Sequence, residues 1–277
     1  MLTRIDRVQI AAPDRRRVGA RWQTLLDAEH ESDDRVAALG ALRSTYRLGQ
    51  SCMEVLEPDG DGPLGDAVAR RGAHLFAAGV ATPDVAAAVE RVREKGVEAV
   101  VEGGQAFLHP AVTGAAGVPL VVSEAVDRPA VGLVDLLYEV TDLRDNAAAA
   151  ASRYADLFSL DESRYVPISS DQYGYRGILT LFDHSRLDRL EVITPYDLDK
   201  TMGRFFNRFG ESLYMCYAES GQTGEILERA QGMEAPHTGD AGGLFLHPVA
   251  LGGVMLGVSR RTAAWRWSGH PERVEPA

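Results

Sequence analysis

The sequence is poor in cysteine and has no long apolar run, and these two absences limit what the chain can be. Its 277 residues include two cysteines, Cys52 and Cys216, which stand far apart and outside any CxxC or Cys/His spacing. A disulfide framework and a zinc cluster are therefore excluded, and both thiols are expected to be free and buried. No apolar segment approaches the ~20 residues of a membrane helix, and no secretory segment opens the chain. We expect a cytoplasmic protein with no membrane partner.

Basic residues are also in the minority. Lys and Arg total 29 against 40 Asp and Glu, which gives a formal net charge of -11. Such a surface repels phosphate backbones, so nucleic acid is not an expected partner. The composition, 45% hydrophobic and 25% charged, is typical of globular proteins, and the length is sufficient for about two domains. The expected partner is a small-molecule substrate or ligand, and a homodimer stays an open alternative.

Several segments of the first half of the chain recur in the second half. MEVLEP at 53–58 returns as LEVITP at 190–195, and FLHP at 107–110 returns at 245–248. IDRVQIAAPD at 5–14 parallels VDLLYEVTDL at 134–143. Order and spacing are kept, with about eight extra residues before the strand of Glu191, in a region expected to form a hairpin. The chain therefore contains two copies of one domain, predicted at 1–128 and 129–277.

Within the first copy, strands and helices alternate. Apolar runs at 8–12, 44–48 and 52–56 predict strands, and a helix is predicted from Asp14 to about Leu26. A second helix is expected to be capped by Thr82, to take Pro83 as its first residue and to end at Gly96. The order of one strand, one helix and three strands then occurs twice in each copy. This predicts an α+β fold of four βαβββ units.

These segments, in this order, resemble the vicinal-oxygen-chelate superfamily of glyoxalases, bleomycin-resistance proteins and extradiol dioxygenases. The resemblance rests on IDRVQIAAPD, MEVLEPDGDGPL, RRGAHLFAAGVATPDVAAAVERVREKGVEAV, and FLHP with the glycine-containing turn after it. The first copy is most similar to methylmalonyl-CoA epimerase. The resemblance implies two tandem domains in which curved mixed sheets enclose cups. Typical members of the superfamily hold a divalent metal in such a cup with four inward side chains.

The four ligand positions of that superfamily are mostly lost from this sequence. The second ligand, a Glu or Gln, is retained as Glu54 and Glu191. The other positions carry side chains that do not ordinarily bind a metal. By this alignment they are Arg7 and Leu136 for the first ligand, Leu75 and Leu213 for the third, and Val122 and Gly257 for the fourth. With one carboxylate in each copy, we expect no metal ligands and no cofactor, a divalent metal being the alternative.

Four residues are candidates for catalysis. Glu54 and Glu191 lie in apolar strands, where burial raises the pKa of a carboxyl group and suits it to act as a general base. Arg7 occupies the position of a metal ligand and is expected to face Glu54 as an electrophilic partner. His109 is repeated as His247, in each case before a glycine turn. Ion pairing, capping and packing are the ordinary alternatives for these side chains.

Five further residues are candidates for substrate binding. Gln9 shares a strand face with Arg7, and His74 stands beside a ligand position. Tyr138 and Tyr217 would make the second cup aromatic, suited to a ring-bearing or hydrophobic ligand, and His247 belongs to the repeated FLHP segment.

The leading functional hypothesis is an isomerase or lyase that works without a tightly bound metal. It would remove a proton next to a carbonyl of a small organic acid or acyl thioester, with Glu54 as the base. The alternative is a small-molecule binding protein of the bleomycin-resistance type. A third hypothesis is a ring-cleaving dioxygenase-like enzyme, although such enzymes keep two histidines and a glutamate in one cup.

Overall fold

The structure is a computed structural model that describes residues 2–276. Within them the chain forms two eight-stranded mixed sheets and eight α-helices. The strands of the first sheet are β1 (Arg4–Ala11), β2 (Glu29–Val36), β3 (Ala41–Leu48), β4 (Ser51–Pro58), β5 (His74–Thr82), β6 (Val100–Glu102), β7 (Gln105–Phe107) and β8 (Leu120–Glu124). Those of the second are β9 (Leu136–Leu143), β10 (Val166–Ser170), β11 (Tyr175–Leu181), β12 (Arg189–Pro195), β13 (Ser212–Glu219), β14 (His237–Asp240), β15 (Gly243–Leu246) and β16 (Met255–Ser259). The helices are α1 (Arg15–Leu26), α2 (Pro63–Arg71), α3 (Val85–Glu94), α4 (Pro110–Thr113), α5 (Ala147–Phe158), α6 (Thr201–Phe209), α7 (Thr223–Gly232) and α8 (Pro248–Leu251).

The two sheets have the same strand order. The first runs β2-β3-β4-β1-β5-β8-β7-β6, and the second runs β10-β11-β12-β9-β13-β16-β15-β14. In each sheet one strand, one helix and three strands occur twice, so the predicted α+β fold of four βαβββ units is confirmed. The strands of one sheet end at Glu124 and those of the other begin at Leu136. The limits 1–128 and 129–277 stay predictions.

Aspartate and asparagine side chains begin the helices that follow the first strand of three of the units. Asp14 accepts a hydrogen bond from the Arg17 amide at 2.9 Å, and Asp84 accepts one from the Ala87 amide at 2.9 Å. Asn146 does the same for α5. The prediction that Thr82 caps α3 was wrong, because Thr82 still belongs to β5 and Pro83 precedes the cap instead of opening the helix.

The insertion in the second copy lies between β11 and β12. Strands β3 and β4 are joined by two residues, 49–50, whereas β11 and β12 are joined by seven, 182–188. The expected hairpin location is therefore right, but the insertion is five residues long instead of eight. Asp188 in this longer loop accepts a hydrogen bond from the Ile5 amide at 2.7 Å, which connects the loop to the first sheet.

One hydrophobic core extends across both halves of the chain, between the helices and the convex faces of the sheets. Trp22 of α1 is fully buried in it and donates a hydrogen bond to the Leu251 carbonyl at 3.0 Å. Cys52 and Cys216 are free and buried, as predicted. Among the described residues, no helix has the length and apolar character needed to cross a membrane.

Candidate functional site

Strand pairing defines which residues of the two copies are equivalent. Gln9 pairs with Glu54 across β1 and β4, and Thr141 pairs with Glu191 across β9 and β12. Gln9 therefore corresponds to Thr141, and Arg7, two residues earlier, corresponds to Glu139. The alignment that placed Leu136 at the position of Arg7 was wrong by three residues. Glu139 is thus an inward carboxylate that the sequence alignment missed.

The third and fourth ligand positions also move. At the end of β1 the chain reads AAPD at 11–14, and at the end of β5 it reads ATPD at 81–84, so Arg7 corresponds to Ala77. Because Gly79 pairs with Val121 in β8, the residue there that corresponds to Glu54 is Val121. Ala77 and Val121 face the concave side, whereas Leu75 and Val122, assigned from the sequence, point into the core on the other face. In the second sheet the third position is Met215 and not Leu213, whereas the fourth position is Gly257, as the sequence alignment had placed it.

We call the concave face of the first sheet cup 1. Its centre is the Glu54 carboxylate, which is 1% exposed. Oε1 of Glu54 accepts hydrogen bonds from Arg7 Nη1 at 2.5 Å and from Gln105 Nε2 at 2.5 Å, and Oε2 accepts one from Gln9 Nε2 at 2.8 Å. Arg43 lies 3.5 Å from the same carboxylate and donates to Gln105 Oε1 at 2.7 Å. Both oxygens of Glu54 are therefore engaged.

The charges of cup 1 hold Glu54 in its ionised form. Burial acts to raise the pKa of Glu54, but Arg7, Arg43 and the hydrogen bonds outweigh it and bring that pKa below its ordinary value. Arg7 also binds Asp6, with Nη2 to Oδ2 at 2.5 Å, and its own pKa is raised because Glu54 and Asp6 outweigh the cost of burial. The arrangement is a buried ion-pair network that fills the cup. The prediction that Glu54 acts as a base stays untested, and its surroundings do not favour it.

We call the concave face of the second sheet cup 2. Arg189 Nε donates to the Glu139 carboxylate, and Arg189 Nη1 donates to Ser268 Oγ in the C-terminal tail. Thr141 Oγ1 donates to Glu191 Oε2 at 2.5 Å. Among residues 2–276, no donor reaches the other oxygen of Glu191. Burial, followed by the negative charge of Glu139, raises the pKa of Glu191 to about 8.

Aromatic and apolar side chains form the walls of cup 2. The Tyr217 ring lies 6.1 Å from the rings of both Tyr138 and Phe245, and burial raises the pKa of each of these tyrosines. Tyr217, Tyr175 and Phe245 are only half-buried, whereas Phe107, the cup 1 counterpart of Phe245, is fully buried. Cup 2 is therefore partly open, and cup 1 is closed.

The three predicted histidines lie outside both cups. His74 and His109 line a cleft between the two halves of the chain, where the His109 ring stacks on Phe76 with centroids 3.9 Å apart. Burial lowers the pKa of His74 to about 4 and that of His109 to about 3, so both are neutral near pH 7. His247 precedes α8, with Nε2 3.4 Å from Thr238 Oγ1. Their predicted catalytic and binding roles stay predictions.

Neither cup offers four ligands to a divalent metal. The four positions hold Arg7, Glu54, Ala77 and Val121 in cup 1, and Glu139, Glu191, Met215 and Gly257 in cup 2. Cup 2 comes nearer, with two carboxylates, but Arg189 already binds one of them. Among the described residues, no group of three His, Cys, Asp or Glu side chains is placed to hold a metal ion. The side chains present do not fit the superfamily's usual metal.

Comparison with solved structures identifies the fold. A triply substituted 4-hydroxymandelate synthase from Streptomyces coelicolor matches with a TM-score of 0.69 and 13% identity, over 94% of this chain and 93% of that one. A fusion of a xylose isomerase-like TIM barrel and 4-hydroxyphenylpyruvate dioxygenase matches with a TM-score of 0.61 and 9% identity, over 95% of this chain and 50% of that one. A methylmalonyl-CoA epimerase bound to methylmalonyl-CoA aligns with 47% of this chain and 100% of its own, at 26% identity and a TM-score of 0.40. No family model and no curated protein matches.

The chain therefore has the two-domain fold of the vicinal-oxygen-chelate superfamily, as the sequence predicted. The neighbours named above are enzymes. Their identities here are too low to transfer a substrate or a reaction, so the likeness establishes the fold alone.

The expectation that no cofactor is needed is contradicted by the same comparison. Two structures that match nearly the whole chain are a 4-hydroxymandelate synthase and a protein that contains a dioxygenase, and they point to a metal instead of none. Dioxygen chemistry depends on a metal or an organic cofactor, since protein side chains do not supply it.

Sequence reasoning missed the two residues that organise the floor of cup 2. Glu139 and Arg189 are charged residues inside apolar strands, LLYEVTDL and RLEVITP, and this was a signal that could have been noted. The contact from Ser268 in the tail had no comparable signal, because it depends on how the chain returns to the sheet after β16.

Proposed function

We propose that cup 2 is the active site of an enzyme that moves a proton next to a carbonyl group in a small molecule with an apolar or ring-bearing body. The observation that carries the proposal is the state of Glu191. One of its carboxyl oxygens has no hydrogen-bond donor among the described residues, and its pKa is raised to about 8. A carboxyl group with a pKa near the working pH exchanges protons efficiently in both directions.

The residues around Glu191 support this role. Thr141 fixes one carboxyl oxygen, which leaves the other to meet the substrate. In the forward step the substrate C–H bond breaks, its proton goes to that oxygen, and the electron pair moves to the carbonyl oxygen to give an enolate. The Tyr217 hydroxyl has no hydrogen-bond partner in the described part of the chain. It would donate a hydrogen bond to the enolate oxygen of the substrate. Return of a solvent-derived proton from Glu191 to the same carbon completes the cycle and exchanges that hydrogen with solvent.

The shape and polarity of the cup support the substrate class. The half-buried rings of Tyr175, Tyr217 and Phe245 give a flat, partly apolar surface that suits a ring or an alkyl group. Arg189 is already neutralised by Glu139, so among the described residues the floor of the cup carries no unpaired cation that would bind a highly charged anionic ligand. Small carbonyl compounds with one apolar substituent fit these features best.

Solvent-deuterium exchange tests the proposal. The intact protein is incubated in D2O with a panel of aryl-substituted 2-oxo acids and acyl thioesters, with and without added divalent iron, and deuterium next to the carbonyl is followed by NMR. We expect exchange in the wild type and a loss of about 100-fold or more in Glu191→Gln. The matched variant, Glu54→Gln, changes the equivalent carboxylate of cup 1. Loss of exchange in Glu54→Gln with retention in Glu191→Gln would return the base to cup 1 and contradict the proposal.

Ligand sequestration is the second candidate, and the aromatic walls of cup 2 favour it as much as they favour catalysis. Saturable binding of a panel compound without exchange or turnover would support it. A dioxygenase-type reaction is the third candidate, favoured by the match over nearly the whole chain to a protein with a dioxygenase part. Near-stoichiometric iron in protein purified without chelators, together with oxygen consumption on a ring-bearing substrate, would support that candidate.

A further inference from the structure

A second cavity lies in the cleft between the two halves of the chain, away from the interiors of both cups. Its volume is about 900 Å³. One side is formed by α2, the start of β5 and α4, and the other by residues 144–154 and the end of α6. The cavity is large enough for a small molecule of nucleotide size. The reaction proposed for cup 2 does not use it.

Arginine side chains dominate the lining of this cavity, although the protein as a whole is acidic. The arginines are Arg70, Arg71, Arg144, Arg153 and Arg208, and the carboxylates are Asp145 and Glu211. Arg144 is neutralised, with ion pairs to Asp142 at 2.8 Å and Glu211 at 3.1 Å. Arg153 donates to the Ala116 carbonyl. This concentration of positive charge is local and is opposed to the net charge of -11.

Of the five arginines only Arg144 has an acidic partner in the described part of the chain, and Arg153 is held by the Ala116 carbonyl. Within residues 2–276, no carboxylate lies within ion-pair distance of Arg70, Arg71 or Arg208. The guanidinium carbons of Arg71 and Arg208 lie 4.8 Å and 4.9 Å from the centre of the Phe209 ring, so the two cations share one aromatic ring. Partial burial, followed by the charge of Arg70, lowers the pKa of Arg71. Unpaired cations held close together are repulsive, and an anion would relieve that repulsion.

The two neutral histidines add hydrogen-bonding capacity without charge. His74 Nδ1 is bonded to the Gly72 carbonyl at 2.8 Å, which leaves Nε2 available as an acceptor. His109 lies on Phe76, and its Nδ1 accepts from the Ala111 amide at 3.1 Å. The positive charge of the cleft therefore comes from arginine alone and persists across the physiological pH range.

We propose that this cleft is a binding site for a phosphate-bearing small molecule, held by Arg70, Arg71 and Arg208. Guanidinium groups match phosphate oxygens in planar, two-point hydrogen bonds, and three of them suit a ligand with more than one phosphate charge. The limited volume favours a small molecule over a nucleic acid, which the net charge of -11 would repel. The site is independent of the reaction assigned to cup 2.

Calorimetric titration of the full chain with inorganic pyrophosphate tests the proposal. We expect saturable binding that weakens as NaCl is raised. The double variant Arg70→Ala with Arg208→Ala should weaken binding by about ten-fold or more. The matched control is Arg16→Ala with Arg17→Ala, which removes two exposed cations from α1 outside the cleft. Equal losses in the two double variants, or no saturable binding in the wild type, would overturn the proposal. The changed side chains at the cleft are exposed, and thermal unfolding of each variant confirms that the fold is kept.

Discussion

The two cups have the same strand order and opposite interiors. In cup 1 the equivalent positions carry Arg7 and Glu54, and the cup is filled by a closed network of charges and amides. In cup 2 they carry Glu139 and Glu191, and the cation comes from Arg189, next to Glu191 on the same strand face. Arg189 forms an ion pair with Glu139, and Glu191 is left without an ion pair within residues 2–276. The position of the cation, together with the replacement of the Gln9 amide by the Thr141 hydroxyl, thus distinguishes the filled cup 1 from the candidate reactive site in cup 2.

The strongest test of this difference removes each central carboxylate. Glu54→Ala leaves Arg7 buried beside Asp6 without its second partner, and we expect the free energy of unfolding to fall by about 3 to 5 kcal/mol. Glu191→Ala removes one hydrogen bond, worth about 1 kcal/mol. It also removes a carboxyl group whose raised pKa already costs stability at pH 7, so we expect little net loss or a gain. Urea denaturation at pH 7 measures both. Similar losses in the two variants would show that the cups do not differ in this way.

The pH dependence of stability should have opposite signs in the two cups. The pKa of Glu191 is raised to about 8, chiefly by burial, so between pH 4.5 and 8 the folded state keeps a proton that the unfolded state has released. Stability from this group therefore falls as the pH rises through that window. Glu191→Gln should remove that fall, which is measured as unfolding free energy against pH.

Glu54 provides the control for the pH experiment. Its pKa is lowered despite burial, so its contribution is present above the ordinary carboxyl pKa and is lost as the pH falls through the folded value. Glu54→Gln should therefore flatten the acid side of the profile. Parallel profiles for wild type and Glu191→Gln would contradict the raised pKa and, with it, the proposed role of this residue.

Two glycines make room for the different contents of the cups. A Cβ at Gly79 would overlap with Arg7 Cγ and lie 3.0 Å from the Arg7 carbonyl oxygen, while one at Gly257 would overlap with the Tyr217 ring and lie 3.2 Å from the Phe245 ring. We expect Gly79→Ala to cost about 2 to 3 kcal/mol and Gly257→Ala less, since Tyr217 is half-buried whereas Arg7 is buried and held by two ion pairs. Urea denaturation again measures the difference. Gly224→Ala in α7, with nothing within 4 Å, is the control and should be neutral or slightly stabilising.

The sequence was sufficient to predict the fold, because the segments MEVLEP and FLHP survive in both copies with their spacing. It predicted Arg7 opposite Glu54 correctly as well. It failed at Glu139, because five inserted residues and the loss of identity in β9 concealed the register, and only hydrogen-bonded pairing fixes a register. Neither the exposure of Phe245 nor the closure of cup 1 was predictable, since both depend on side chains from several strands.

The smallest expected effect concerns the tail, which has no counterpart in cup 1. Ser268 Oγ accepts a hydrogen bond from Arg189 and donates one to the Ala264 carbonyl at 3.1 Å, so it attaches residues 263–268 to the floor of cup 2. Ser268→Ala should cost about 1 kcal/mol, because Arg189 keeps Glu139, and hydrogen exchange should quicken in 263–268 more than in β12. Ser123→Ala, which removes a hydroxyl bonded to Asp6 in cup 1, is the matched control. If Ser268→Ala were as destabilising as Glu54→Ala, the tail and not Glu139 would be the main support of Arg189, and cup 2 would depend on chain closure instead of on its own strands.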